Sequence, residues 1–161
     1  MRKIISAMGL ALLLWCILVS PVMVLAATGD TSIYGQVPGD LSISTPGTFS
    51  LESLNPGTTV DSNAKTVTIG GNSSNWTLTV SENGGGDGKM ARSDSHPLTN
   101  PLKVMGGDVK SYTSLASPVT LQSAGNGAVT ISDIYFEQIV DAGELAGTYS
   151  ITVVFTVTSG A

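Results

Sequence analysis

A single histidine, His96, is the first place to look for chemistry; it stands two residues after Asp94 and directly before Pro97. A hydrolase triad needs such an imidazole between an activated serine and an orienting carboxylate. Asp94 and many serines are at hand, but no nucleophile-elbow pattern surrounds any of the serines. His96 therefore reads as an exposed loop side chain, and the chain as a non-enzyme. Zinc wants three or four His, Cys or carboxylate ligands. The one cysteine, Cys16, sits in an apolar run near the N-terminus, so no zinc site is expected. Asp87, Asp94 and Asp108 lie among glycines, where oxygen ligands for calcium often gather. Their spacing fits no calcium loop, and they read as solvated carboxylates. No cofactor is expected. Asn72-Ser73-Ser74 and Asn75-Trp76-Thr77 are glycosylation sequons. Asn72 falls in a turn-rich stretch and Asn75 at the start of a strand pattern, so Asn72 is the more reachable acceptor.

The N-terminus sets the compartment. Arg2 and Lys3 precede an apolar run from Ile4 to Val19, closed by Pro21, and Val24-Leu25-Ala26 offers the small residues a signal peptidase reads. That order is a secretory leader, residues 1–26, with cleavage after Ala26. Its apolar run is shorter than the roughly 20 residues a membrane-spanning helix needs. Trp15 before Cys16 argues against lipidation, and no membrane anchor is expected after cleavage. The mature part, residues 27–161, then carries no cysteine and so no disulfide. It is long enough to bury ~65–70% of its unfolded surface as a single domain held by its core alone. With Arg2 and Lys3 gone, five basic residues face 12 acids, a net charge of −7. Such a surface repels phosphate backbones, which excludes nucleic acid as a partner.

The elements that must position these residues are strands. Asn75–Ser81 alternates Trp76, Leu78 and Val80 with Thr77, Thr79 and Ser81, a period of two with one buried face. Lys65–Gly70 does the same with Val67 and Ile69, and Gly70–Ser74 joins the two as a linker of hairpin length. Leu41/Ile43, Phe49/Leu51, Val119–Leu121 and Ala128–Val140 are also strand-like. In the last strand Tyr149, Ile151, Val153, Phe155 and Val157 share one face. Pro-Gly pairs at 38–39, 46–47 and 56–57 mark turns. Short strands at turn-marked intervals predict an all-β fold, an antiparallel β-sandwich of Ig-like type. Ser81–Pro101, with its glycine run and no evident apolar anchors, is expected to be the most mobile ordered segment. If that loop acts, it is expected to bind rather than catalyse, through Asp87, Asp94 and His96.

Trp76-Thr77-Leu78 resembles the first signature of WxL domains, cell-wall-associating modules of Gram-positive surface proteins. Tyr149, followed six residues later by Phe155-Thr156-Val157, resembles the second, with Phe for Trp and Val for Leu. The resemblance implies a WxL-like sandwich and non-covalent association with peptidoglycan, so cell-wall polysaccharide or other envelope proteins are the expected partners. The residues themselves read as core first: aromatics on an apolar strand face usually fill it. The leading expectation is a secreted, non-enzymatic protein at the cell surface or released from it. The second, in another class, is a self-assembling fibre or surface-layer subunit. There Ala27–Val37, with Asp30 its single charge and Ile33 and Gly35 alternating around Tyr34, would add a strand to a neighbour. The plainer alternative makes that segment the domain's own first strand.

Overall fold

The structure, a computed structural model, describes residues 36–37, 39–51, 53–83 and 87–160. The expected leader with Cys16 and its cleavage site, and the segment Ala27–Val37 apart from its last two residues, lie outside the described residues. The described strands belong to the unit from Val37 onward. They are β1 (Leu41–Ser44), β2 (Thr58–Asp61), β3 (Lys65–Gly71), β4 (Ser74–Glu82), β5 (Ala91–Arg92), β6 (Lys103–Gly106), β7 (Val109–Ser114), β8 (Val119–Asn126), β9 (Val129–Val140), β10 (Tyr149–Ser150) and β11 (Val153–Ser159). No helix occurs among the described residues.

Period-two alternation shapes each face. In β3, Val67 and Ile69 are buried while Thr66 and Thr68 are exposed; in β4, Trp76, Leu78 and Val80 are buried. β9 adds Ile131, Ile134 and Phe136, β6 adds Val104, and β8 adds Val119 and Leu121. Two antiparallel sheets bring these faces together. The larger runs β1-β3-β9-β6-β7, with β2 also on β9, and the smaller runs β11-β4-β8. A two-strand ladder of β5 and β10 completes the set. The all-β sandwich expected from the alternation is the fold observed.

Glu137 of β9 pairs with Asp61 on one flank and Lys103 on the other. β2 and β3 therefore lie end to end along a single flank of β9. Ser62 fills the gap between them: its amide donates to Phe136 O at 2.7 Å, and Phe136 N donates to Ser62 Oγ at 2.9 Å. Both backbone groups of a core residue are thus satisfied where the ladder would otherwise break.

Several expectations need correction. Gly70–Ser74 is no hairpin, because β3 and β4 belong to different sheets. Each has a fully buried inner face, and the two faces can both be covered only by opposing one another. The crossing is held by Asp40, whose Oδ1 accepts from Asn72 N at 2.8 Å and whose carbonyl accepts from Ser73 Oγ at 2.7 Å. Phe49 and Leu51 pack against the core but form no strand. The last strand is interrupted, since Ile151 and Thr152 join β10 on β5 to β11 on β4. Within Ser81–Pro101, Met90 and Leu98 are buried, and Leu98 N donates to Met90 O at 2.8 Å. That stretch is therefore anchored through its second half, which removes the reason for expecting exceptional mobility there.

Candidate functional site

The two sheets do not meet evenly along their edges. Leu41 and Ile43 of β1 and Ile151, Val153, Phe155 and Val157 near the C-terminus are half-buried, packed against the core yet open to solvent. Beyond the end of β1 the gap widens into a groove of about 890 Å³. Thr45–Leu51 and Leu54 form one wall, Gly147–Phe155 the other, and Met90, Leu102 and Phe136 the floor.

Three features define its chemistry. Gly147 to Phe155 line it consecutively, inward- and outward-facing residues alike. The stretch spans β10 on β5, the connector Ile151–Thr152 and the first three residues of β11. Among the described residues β11 is paired to β4 alone, with β1 of the larger sheet packed near it. Second, no described residue lining the groove is charged, although the chain carries 12 acids. Third, all three phenylalanines of the chain converge there. The Phe49 and Phe136 centroids lie 5.5 Å apart, and Phe136 and Phe155 meet edge-to-face at 6.5 Å, both favourable separations for aromatic pairs. Lys65 Nζ covers the Phe49 ring at 4.4 Å.

The residues of the WxL-like motifs fall on adjacent strands. In the β11–β4 register Val157 stands opposite Leu78, Phe155 opposite Val80, and Ser159 opposite Trp76. Trp76 and Leu78 are fully buried, and Trp76 Nε1 donates to Gly127 O at 3.0 Å. Neither can present a platform to a sugar. Tyr149 is buried with its hydroxyl donating to Leu145 O at 2.8 Å. Only Phe155 and Val157 of the set keep a partly open face.

The loop residues do not assemble. Asp94 pairs with Arg92 at 2.6 Å and accepts from the His96 amide at 3.4 Å. Slight desolvation pushes its carboxyl up, but that hydrogen bond and the Arg92 guanidinium outweigh it and hold the pKa below the usual value. Asp87 and the His96 side chain are exposed. Asp108 is held elsewhere, accepting from Ser123 N at 3.0 Å. Among the described residues no group of three His, Cys, Asp or Glu is placed to hold a metal ion. Asn72 and Asn75 are both exposed. Asn72 is engaged with Asp40 through its side chain and amide, at 2.9 and 2.8 Å. Asn75 adopts a positive φ of 56°.

Sequence reasoning did not find a polar patch formed by β2, β9, β6 and β7. Asp61, Glu137, Lys103 and Ser114 align across the four strands. Lys103 Nζ meets Glu137 Oε1 at 2.7 Å. The Tyr112 hydroxyl has its pKa raised, first by desolvation and then by the Asp61 and Glu137 carboxylates. Only the pairing order of strands distant in sequence gathers these groups.

No family model matches the chain, and a search of curated proteins finds no match.

Proposed function

We propose that the chain is a non-enzymatic cell-envelope protein, exported and retained at the surface by non-covalent association with cell-wall polysaccharide through a WxL-like domain. One observation carries the reading. The triplets Trp76–Leu78 and Phe155–Val157, far apart in sequence, lie on neighbouring strands of the smaller sheet, with Leu78 opposite Val157, while Tyr149 pairs with Arg92 in the two-strand ladder. A chance triplet has no reason to find such a partner; two motifs that specify one sheet do. Burial of Trp76 and Leu78 assigns the first motif to building that sheet, so contact with the wall falls to other surfaces. Asp94 engages Arg92 and the His96 backbone amide while Asp108 is held apart by Ser123, an arrangement with no orienting partner for the imidazole, which favours binding over catalysis. The leader and the acidic mature surface fit an exported protein that avoids nucleic acid.

The test is cosedimentation of purified protein with purified peptidoglycan and with whole envelope fractions. Sedimentation above a bovine albumin control is expected. Protein left in the supernatant with every fraction would sink the reading.

A further inference from the structure

We infer that an uncharged, hydroxyl-rich polysaccharide strand lies on the outer face of the larger sheet around Tyr112 and Tyr135 and in the shallow cleft beside β2. The inference rests on the reading of the chain as a wall-binding protein, and it adds the surface used and the chemistry of the ligand.

Alternation along β9 sets the face. Ile134, Phe136 and Gln138 are buried, so Tyr135 and Glu137 between them point away from the core. Tyr135 stands opposite Met105 of β6, and Glu137 stands between Lys103 of β6 and Asp61 of β2. Tyr112 of β7 joins the group, since Asp61, Glu137 and Tyr135 all act on its hydroxyl. Tyr112, Tyr135 and Met105 are each half-buried, so apolar side-chain surface on this face stays open to solvent.

A shallow cleft of about 580 Å³ opens along β2, lined by Ser53, Asn55, Thr58, Thr59, Val60 and Asp61. Asp61 belongs to both places, lining the cleft and lying near the Tyr112 hydroxyl, so face and cleft meet there. Thr58 Oγ1 donates to Asn55 O at 2.6 Å. Among the described residues the side chains of Ser53, Asn55 and Thr59 make no hydrogen bond, which leaves two hydroxyls and an amide to donate and accept.

Those groups select the ligand. Tyrosine rings and the Met105 side chain suit the apolar C–H faces of sugar rings, while hydroxyls, an amide and a carboxylate suit sugar hydroxyls, which donate and accept at once. Charge rules out an anionic polymer. Lys103 is already held by Glu137 at 2.7 Å, and Lys110 of β7 is turned onto Gly107 O. An anionic strand would therefore meet the Asp61 carboxylate without a spare cation to offset it. Shape favours a polymer over a small molecule, because a small ligand needs a pocket that encloses most of its surface, and this surface is open across four strands.

Isothermal titration of soluble protein from cells expressing the full sequence tests the ligand, with chitohexaose as the neutral probe and an oligogalacturonate of the same length as the anionic one. Cosedimentation with purified peptidoglycan tests the wall, and melting temperatures check that each variant is folded. Wild type is expected to bind chitohexaose equally at about 0.1 and 1 M NaCl, because an uncharged ligand leaves salt little to screen, and to leave the oligogalacturonate unbound. Tyr112→Ala and Asn55→Ala should each weaken chitohexaose binding at least about fivefold. Asn55→Ala decides the matter where loss of the Tyr112 ring disturbs the fold, since the Asn55 side chain holds no hydrogen bond there. Thr120→Ala, at an exposed position of β8 in the smaller sheet, should leave binding unchanged. A wild type that sediments with peptidoglycan but binds no chitohexaose, binds the oligogalacturonate more tightly, or loses nothing in either variant overturns the inference and leaves the wall reading standing. A wild type that sediments with no envelope fraction overturns both.

Discussion

Replacing Gly125 by alanine should destabilise the protein far more than one methyl group suggests. Gly125 of β8 stands opposite Trp76 of β4. A Cβ there would fall 2.3 Å from Trp76 Cζ2 and 2.4 Å from Cε2, whereas carbon atoms settle at about 3.5–4.0 Å. The indole would have to retreat by roughly 1 Å, and it has nowhere to go. Trp76 is 0% exposed, with its Nε1 fixed on Gly127 O at 3.0 Å. Overpacking of this kind costs about 1–3 kcal/mol, and loosening that hydrogen bond about 1 kcal/mol more. For a domain of this size the sum, about 2–4 kcal/mol, lowers the melting temperature by roughly 8–16 °C. Urea unfolding followed by far-UV circular dichroism measures it. A cycle with Trp76→Phe tests the cause, because a smaller ring makes room for the methyl group and the double mutant should lose less than the sum of the singles. A Gly125→Ala cost below about 0.5 kcal/mol, or singles that add within that margin, would refute the packing argument.

Two further outcomes follow from burial and charge. Leu78→Ala removes a fully buried side chain and should cost about 2–5 kcal/mol. Phe155→Ala, at a half-open position on the groove, should cost only about half of a full core truncation, ~1.5–3 kcal/mol; urea midpoints in the reverse order would contradict the placement. Tyr112 has a pKa raised in the folded state, so its contribution is fully present below the unfolded tyrosine value and is lost as pH rises through the folded one. Melting temperatures from about pH 8 to 11 should therefore fall more steeply for wild type than for Tyr112→Phe; parallel curves would show that the Asp61 and Glu137 carboxylates do not act on this hydroxyl.

Legibility in the sequence tracked how far a strand's burial is one-sided. β3, β4 and β9 each alternate against a covered face, and their patterns placed them within a residue or two, whereas the last strand, read from Tyr149, begins only at Val153. β2 has one apolar residue in four, and β6 has adjacent apolar residues in Val104 and Met105, so neither showed a period. β7 is polar but for Val109 and Tyr112. Met90 and Leu98 gave no warning because an isolated apolar residue between glycines and polar neighbours carries no periodicity, whatever its eventual burial.

Side-chain alternation decides which residues of a strand face inward, since successive Cβ atoms point to opposite sides whatever the strand pairs with. That much was in the local order of residues, and with it the all-β class, the inward set Trp76, Leu78 and Val80, and the shared face of Tyr149 through Val157. Pairing is not local. Whether β4 neighbours β3 or β11 depends on which arrangement covers both inner faces at once, a property of the assembled sheets. The convergence of Phe49, Phe136 and Phe155 and the groove they line are consequences of that choice. Each joins residues tens of positions apart, and only the packed structure holds them together.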